Sequence, residues 1–591
     1  MTKRKLFSLV SPALCTLLGS LVLFTSLDAK FADLYQKALP GTEVRDDVIL
    51  VGIDDYAIDV VGSFPFTRDV YADCINVMEE FNASSVVFDL TFLDFSRPSV
   101  NENYEPFEPD EVMEASLENS SIDYLSFTFD NSNTPSEYEK EIFVERGLLN
   151  NYAEISVIND SSTQEYTGVM PAIPNFLEHA AGAGYVNADP DSDNYYRRVN
   201  PVIKYEGGYY GQLTLPALLK KLGNPKIIID ERIVTLKDAH CSGEVKDIVI
   251  PRGNDGKVIL RYPKMLFDDY NYISIGKIYH VAQLRRWMEE DGEDEYIEEY
   301  ELLCGQLKEA LSDSLCIIGT CASSTSDYGV NLYEAQYPLP GVHYSFANQI
   351  LNEDFISEIP WYCSVLYAFA VSVLIVFVMN RVNRTGIKIF SGLIMILLSS
   401  AVLFAVFWFK RIYSGQAVPL ITPFLTYIST VAMGFLAASK DRKFITNAFS
   451  QCLSKDVVDQ IVANPDSFKL GGESLQMTAI FTDIQKFSSF SELLTAAQLV
   501  ALLNYYLTKM SDIIMSEGGT IDKYEGDAII ALVGAPLKMD DHAERAVKAA
   551  LKMKAAEKIM NAEIRKISKE PKPDSMDDNL YSAFKIMVDN N

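Results

Sequence analysis

Sites that bind zinc or nucleic acid have little support in this sequence. Its 591 residues include only 8 cysteines, none in a CxxC pair, and 5 histidines, so the ligands of a structural zinc site are scarce. Asp and Glu outnumber Lys and Arg by 81 to 51, and the formal charge of −30 argues against the basic face that nucleic-acid binding requires. Apolar residues make up 48% of the chain, which excludes a disordered protein and, at this length, predicts two or three domains.

Long uncharged runs occur in four places. Each reaches or approaches the roughly 20 apolar residues that a helix needs to cross a bilayer. The last three are separated only by short polar loops, which favours membrane spans over the buried helices of a soluble core. We therefore predict a multi-domain membrane protein with four transmembrane helices, at residues 6–27, 362–379, 389–409 and 416–438.

The positions of the basic residues predict the orientation of these spans. Lys and Arg cluster in residues 1–5, between the second and third spans, and after the fourth. By the positive-inside rule this side is the cytoplasm, although two basic residues after the third span lie on the other side. Residues 28–360 are then extracytoplasmic and 439–591 cytoplasmic. If residues 6–27 are instead a cleaved signal peptide, three spans remain and the C-terminal region is still cytoplasmic.

The region outside the membrane alternates short apolar runs with amphipathic ones. Residues 48–54, 84–92 and 314–320 are typical of buried strands, and 69–81 of a helix. We therefore expect an α/β sandwich around a mixed sheet. Four aspartates at predicted strand ends are candidates for a ligand site or, alternatively, for turns and helix caps: Asp54, Asp55, Asp89 and Asp94.

The order of motifs in residues 28–360 resembles the CHASE-type extracellular sensor of the second class. The motifs that carry the resemblance are VILVGIDDYAIDVVGSFPFTRDV, VVFDLTF, GYVNADPDSDNYYRRVNPV, SLCIIGTCASSTSDYGV and PLPGVHYSFANQIL. In that family the domain lies outside the cytoplasmic membrane, upstream of kinase or cyclase outputs, and its ligands are mostly undefined. The resemblance thus implies an extracytoplasmic ligand whose chemistry the motifs do not give.

Two carboxylates occupy strand-end and turn positions in residues 476–591. An apolar run, TAIFT, ends at Asp483, and Asp527 lies in the turn of a predicted hairpin at 520–536. If these strands are neighbours, the carboxylates converge and can hold two Mg²⁺ ions for in-line attack on phosphorus. Alternatively, Asp483 caps the following helix and Asp527 serves the turn.

Helical patterns fill most of the remaining inner region. Residues 439–475 predict a helical coupling segment that leaves the membrane, and 491–516 and 540–566 predict amphipathic helices.

Two motifs resemble the metal-binding motifs of class III adenylate and guanylate cyclases, namely FTDIQKFSSF (481–490) and IDKYEGDAIIALVGAP (521–536). The resemblance implies that Asp483, Asp527 and the carbonyl of Ile484 bind two Mg²⁺ or Mn²⁺ ions. It also implies that Lys523 selects adenine. The loop expected to face the triphosphate of ATP consists of Gln485, Lys486, Phe487 and Ser488.

The activity implied by this resemblance is conversion of ATP to cyclic AMP and pyrophosphate, in the cytoplasmic membrane of a bacterium. In the family each active site of a dimer combines the metal carboxylates of one protomer with a Lys, an Asn and an Arg of the other. The resemblance implies that a further strand begins at the final run, FKIMVDNN, and that an Asn-x-x-x-Arg helix comes after it. That helix is not found in this sequence, so we expect a truncated catalytic domain that is inactive alone. A heterodimer with a complete cyclase would restore one site.

Two interpretations remain open on sequence grounds. The chain is either a receptor-type adenylate cyclase whose sequence is cut short or frameshifted, or a sensor that dimerises, or complements a complete cyclase, without catalysing. A diguanylate cyclase output is disfavoured because its glycine-rich acidic hairpin is not found.

Overall fold

The computed structural model describes residues 3–100, 106–291, 296–325, 327–382, 384–449 and 474–590. The chain divides into two units, Met1–Thr430 and Val431–Asn591. The predicted coupling segment falls largely outside the described residues, because only its first part lies on a described helix, Ala417–Phe449.

The N-terminal unit is built on a seven-stranded mixed sheet, as the alternating pattern predicted. Six strands follow one another across it: Tyr272–Ser274, Val48–Ile53, Leu315–Thr320, Ser85–Phe88, Asp123–Phe129 and Val169–Met170. The seventh, Gly182–Tyr185, pairs in parallel with Asp123–Phe129. Only Val169–Met170 runs antiparallel to its neighbour, so the central strands are parallel and end along the same edge.

Both faces of this sheet are buried, which explains the continuous apolar runs of its central strands. Side chains alternate between the faces, so Ile49 and Val51 enter one core while Val48 and Leu50 enter the other. The first core lies under these helices: Asp55–Val61, Arg68–Glu80, Pro109–Asn119, Glu137–Gly147, Pro174–His179, Ile275–Asp291 and Ile297–Leu311.

The second core is covered by two helices and a smaller sheet. The helices are Leu215–Lys221 and Pro340–Asn352. The sheet has four strands, Ile155–Val157, Lys226–Asp230, Ile233–Cys241 and Glu244–Pro251. Shorter strand pairs or triplets complete the unit: Ser99–Val100 with Pro106–Phe107; Glu165–Tyr166 with Val202–Tyr205 and Gly208–Gly211; Arg198–Val199 with Val258–Ile259; and Tyr328–Gly329 with Tyr337–Pro338.

The aspartates predicted at strand ends have different roles. Asp54 caps the helix Asp55–Val61, accepting a hydrogen bond from the amide of Ala57 at 2.8 Å, so the capping interpretation is confirmed there. The carboxylate of Asp55 accepts from the amide and hydroxyl of Ser323. Asp94 is exposed, and Asp89 lines a cleft.

Three helices in the described residues are long and apolar enough to cross a membrane, and they match the predicted second, third and fourth spans. Their apolar parts are Trp361–Arg381, Gly386–Lys410 and Ala417–Leu436. The predicted first span, 6–27, is not one straight helix. Lys3–Ser20 and a short 3-10 turn, Leu21–Phe24, are followed by Leu27–Ala38 after a bend of 76°.

Asp28 gives a physical reason for this bend. Its carboxylate accepts hydrogen bonds from the amides of Gln416 and Ala417, at 2.7 and 2.8 Å, where the helix Ala417–Phe449 begins. An acid at this place compensates the unpaired amides of a helix N-terminus. Extended backbone at Thr25 ends the preceding turn, so the chain can redirect toward this contact.

Ion pairs join the main body of the N-terminal unit to the segments that flank its apolar helices. Arg197 is almost fully buried and contacts Asp33 of the bent helix at 2.7 Å, as well as Asp191 and Asp193. Arg198 pairs with Glu358 at 2.7 Å. Glu358 belongs to the strand Ser357–Glu358, which pairs with Ile412–Tyr413 between two apolar helices.

The C-terminal unit has a three-stranded antiparallel sheet, in the order Thr478–Thr482, Ala528–Val533, Thr520–Glu525. The predicted strand, hairpin and two long helices are confirmed. The helices are Phe487–Ser491, Ala496–Ser516, His542–Ile567 and Asp578–Asp589.

The prediction of a strand in FKIMVDNN is wrong, because residues 584–589 of this run lie in the helix Asp578–Asp589. Asp577 caps that helix, with its carboxylate accepting from the amides of Asn579 and Leu580. Ala583 and Phe584 are fully buried in a cluster with Ile564, and Leu580 and Met587, three or four residues away, pack against the same cluster, as expected for one face of a helix.

Truncating Phe584 tests this helix packing. We expect Phe584→Ala to destabilise the C-terminal unit by about 3–5 kcal/mol, because it leaves a cavity beside Tyr505, whose ring lies 5.2 Å from that of Phe584. Hydrogen exchange of the full chain in detergent should show faster exchange in Ala496–Ser516. The exposed Ile559→Ala is the control, and unchanged protection in Phe584→Ala would contradict the packing.

A buried acid in the main sheet predicts a pH-dependent stability. The side chain of Asp123 is 1% exposed, and burial raises its pKa from 3.8 to about 7. Between these values the folded state holds a proton that the unfolded state has lost, so the free energy of unfolding falls as pH rises from 4 to above 7. The pKa change corresponds to on the order of 4 kcal/mol.

Thermal unfolding of the full chain at pH 5 and pH 8 checks this expectation. Asp123→Asn lacks the titrating group, so we expect its melting temperature to fall less between the two pH values than that of the wild type. Asp313→Asn, on an exposed turn, should keep the wild-type difference. Parallel pH profiles for wild type and Asp123→Asn would contradict the assignment.

Candidate active site

A two-residue hairpin loop positions Asp527. The strands Thr520–Glu525 and Ala528–Val533 pair up to Glu525 and Ala528, which leaves only Gly526 and Asp527 in the turn. Gly526 has φ +69°, a left-handed conformation that glycine adopts without steric cost. The carboxylate of Asp527 therefore lies at the tip of a short, well-defined hairpin.

The strand Thr478–Thr482 brings Asp483 to the same place. It pairs antiparallel with Ala528–Val533, and Thr482 lies opposite Ile529. Asp483 directly follows this strand, next to the hairpin turn. The predicted convergence is confirmed, because the Asp483 and Asp527 side chains lie within hydrogen-bonding distance of one another.

Hydrogen bonds hold the two loops together. The amide of Ile484 donates to Asp527 Oδ2 at 3.1 Å, and the amide of Ile529 donates to the Thr482 hydroxyl at 3.2 Å. The hydrogen bond to Asp527, and secondly its negative charge, raise the pKa of the Asp483 carboxyl. A divalent cation between the two carboxylates would remove this repulsion.

The donor set at this place fits a hard divalent cation. Carboxylate and carbonyl oxygens are the protein ligands that Mg²⁺ accepts, usually one or two carboxylates together with substrate phosphates and water. The Ile484 carbonyl accepts from the Phe487 amide at 3.2 Å and retains a second lone pair. In the described parts of the chain no group of three or more His, Cys, Asp or Glu side chains is arranged to hold a metal ion, so a cage made wholly of side chains is not offered there.

The predicted triphosphate loop follows directly. Gln485 is exposed, and Lys486 has φ +59° and precedes the short helix Phe487–Ser491. Ser488 is exposed on that helix, and the ring of Phe487 packs edge-on against Phe490 at 5.3 Å. The Phe487 amide donates to the Ile484 carbonyl within the turn, so this amide is not free to donate to a phosphate.

Lys523 lies on the hairpin strand before Asp527. Its side chain is 56% exposed, and its Nζ is 3.7 Å from Asp522 and 3.9 Å from Glu525. Ion pairs at such exposure contribute little and leave a lysine free to reorient. Lys523 is therefore available to a ligand.

Tyr506 is a site residue that sequence reasoning missed. It lies on the helix Ala496–Ser516 and interacts with the Thr482 hydroxyl, near Asp483 and Asp527. Burial, above all, raises the pKa of its hydroxyl. The apolar helical pattern around Tyr506 does not indicate that it lies near the acids, because only the pairing of the strands brings Thr482 to that helix.

The two faces of the three-stranded sheet differ. Ile480, Ile529 and Val533 are buried in a core with the two long helices. Alternation places Phe481 on the opposite face, and its side chain is 73% exposed. Phe481 is thus an exposed aromatic side chain next to the last residue of the strand Thr478–Thr482.

Comparison with known proteins places the two regions in families. A model described as "CHASE2 domain" matches residues 9–379, more than half of the chain. A second, "Adenylate and Guanylate cyclase catalytic domain", matches residues 473–569.

The similar curated proteins and solved structures each match a small part of the chain. "Adenylate cyclase 1" of Rhizobium meliloti (strain 1021) is 37% identical over 76 residues, which are 13% of this chain and 11% of that protein. "Adenylate cyclase" of Anabaena cylindrica is 32% identical over 114 residues, 19% of this chain and 20% of the relative. The structure of the guanylyl cyclase Cya2 is 40% identical, with a TM-score of 0.14, over 15% of this chain and 44% of that one.

These alignments span at most 20% of the two curated relatives. The family models cover both regions of the chain independently. The chain belongs to the CHASE2-domain family, and its C-terminal part carries an adenylate and guanylate cyclase catalytic domain.

Proposed function

We propose that this chain is a membrane receptor-type adenylate cyclase, with a sensor outside the cytoplasmic membrane and a cyclase end in the cytoplasm. The observation that carries the proposal is the contact between Asp483 and Asp527, fixed by the bond from the Ile484 amide to Asp527. The cyclase family match and relatives named adenylate cyclase support the reaction class. Three helices of spanning length support the membrane location.

The reaction converts ATP to cyclic AMP and pyrophosphate. The ribose 3′ oxygen loses its proton and bonds to the α-phosphorus, while the bond from that phosphorus to the pyrophosphate oxygen breaks. Asp483, Asp527 and the Ile484 carbonyl would hold two Mg²⁺ or Mn²⁺ ions. When bound, these ions lower the pKa of the attacking hydroxyl and compensate negative charge on the phosphates.

The remaining parts of the site belong to the loop and the hairpin strand. Gln485, Lys486 and Ser488 would contact the triphosphate, with Phe487 packed behind them. Lys523 would donate to a ring nitrogen of adenine, which offers an acceptor where guanine offers an N–H donor. The exposed Lys523 ammonium supports this role because it keeps no strong partner of its own.

The active unit in this proposal is a dimer. The sheet face that bears Phe481 is the surface we assign to the partner, either a second copy of this chain or a complete cyclase. In the cyclase family a site takes its metal carboxylates from one protomer and its purine-selecting lysine from the other. Activity should therefore be assayed for the chain alone and after addition of a complete cyclase.

Removing one carboxylate should abolish metal-dependent nucleotide binding. We expect Asp527→Asn and Asp483→Asn to weaken binding of a non-hydrolysable ATP analogue with Mn²⁺ at least tenfold, because one charged ligand of the ions is lost. Isothermal titration of the full chain in nanodiscs measures this. Asp540→Asn, an almost fully exposed acid, should bind like the wild type. Wild-type affinity in Asp527→Asn would contradict the proposed metal site.

Reversing the charge of Lys523 should change the purine preference. Because guanine presents N–H donors where adenine presents an acceptor, Lys523→Glu should lower the affinity for the ATP analogue and raise that for the GTP analogue, shifting their ratio about tenfold or more. Lys538→Glu reverses an exposed lysine elsewhere and should leave the ratio unchanged. An unaltered ratio in Lys523→Glu would exclude this residue from purine selection.

A further inference from the structure

The main sheet of the N-terminal unit bears a cleft at the carboxyl ends of its parallel strands. Asp89 directly follows the strand Ser85–Phe88, and Thr320 ends the strand Leu315–Thr320. Both residues line the cleft, whose volume is about 830 Å³. That volume suits a small organic molecule, and α/β sheets commonly bind ligands at this edge.

Asp89 has an unmet hydrogen-bonding capacity in this cleft. Its side chain is 9% exposed, its Oδ2 atom has no hydrogen-bond partner, and its Oδ1 atom lies 3.5 Å from His343 Nε2. A buried carboxylate oxygen without a partner is unfavourable, and buried polar groups are normally paired. Burial also raises the pKa of Asp89 to about 7.

His343 does not supply a positive charge to Asp89. The Gln212 Oε1 atom accepts from the amide and hydroxyl of Thr214, at 2.9 and 2.7 Å, so the Gln212 amide nitrogen faces His343 Nδ1 at 2.5 Å. Nδ1 is then an acceptor, which leaves the ring proton on Nε2. Burial lowers the pKa of His343 to about 4, so the ring is neutral at physiological pH.

A second acid lies in the same cleft. Asp327 accepts a hydrogen bond from the Thr320 hydroxyl at 3.2 Å, and burial together with the nearby Asp89 raises its pKa to about 6. No Lys or Arg side chain lines the cleft among the described residues. Its walls are otherwise hydroxyl groups and apolar side chains, which include Phe64 and Leu339.

We propose that this cleft binds a small organic amine as its ammonium ion, with the charged nitrogen at Asp89 and Asp327 and the apolar body against Phe64 and Leu339. An anion would meet two acids and no cation. A bare metal ion would leave most of the volume and the apolar walls without a partner, and no metal-binding cluster of three side chains is present in the described residues. An ammonium with an apolar body satisfies both parts of the cleft.

Isothermal titration of the full chain in nanodiscs tests the proposal with butylamine, phenethylamine and tyramine as probes. At pH 8 we expect at least one amine to bind saturably. The matched anion phenylacetate and the neutral 2-phenylethanol should bind at least tenfold more weakly than phenethylamine. Saturable binding by none of the amines, or equal binding of phenylacetate, would overturn the proposal.

Three variants test separately the charge of Asp89, the space in the cleft and the effect of an unrelated substitution. Asp89→Asn should weaken amine binding at least tenfold, and Ala188→Phe should block it, because Ala188 lines the cleft and a larger ring fills it. Asp313→Asn, before the amino end of the strand Leu315–Thr320, should bind like the wild type. Thermal unfolding without ligand reports whether each variant is folded. Wild-type affinity in a folded Asp89→Asn would refute the assignment.

Discussion

The chemistry assigned to this protein depends on the pairing of the strand Thr478–Thr482 with Ala528–Val533. This register places Thr482 opposite Ile529, and it thereby sets Asp483 beside the hairpin loop that carries Asp527. A shift of one residue would turn the side chains of one strand to the opposite face and expose Ile480 to solvent. The burial of Ile480, Ile529 and Val533 under two long helices is what fixes the register. The packing of the core therefore also fixes the relative positions of Asp483 and Asp527.

In the N-terminal unit, too, the burial of the strands determines where polar side chains can lie. Its parallel strands are buried on both faces, so polar side chains concentrate where the strands end. The Asp54 carboxylate caps a helix, whereas one carboxylate oxygen of Asp89 lies in a cleft without a hydrogen-bond partner. Ion pairs from Arg197 to Asp33 and from Arg198 to Glu358 connect this body to the segments that flank the apolar helices. A ligand bound at the strand ends would therefore contact a body that these ion pairs link to the flanking segments.

The elements with a strong apolar pattern were predictable from the sequence. The strands Val48–Ile53 and Leu315–Thr320 were readable because burial on both faces leaves an unbroken apolar run, and the Gly526-Asp527 turn marked the hairpin. The run FKIMVDNN was expected to begin a strand because the resemblance to the cyclase family implies one at that place. Tertiary packing of Phe584 and the cap at Asp577 decide for the helix. The packing of Phe584 against Leu502 and the contact of Asp28 with Ala417 join residues far apart in the sequence, so no local pattern encodes them.

Electron paramagnetic resonance of the full chain with Mn²⁺ and a non-hydrolysable ATP analogue tests the central claim most directly. Two ions held by Asp483 and Asp527 should give the spectrum of a magnetically coupled Mn²⁺ pair, and Asp527→Asn should lose it. An isolated-ion spectrum in the wild type, or a coupled pair that persists in Asp527→Asn, would contradict the assignment of this acid pair as the metal site of a cyclase.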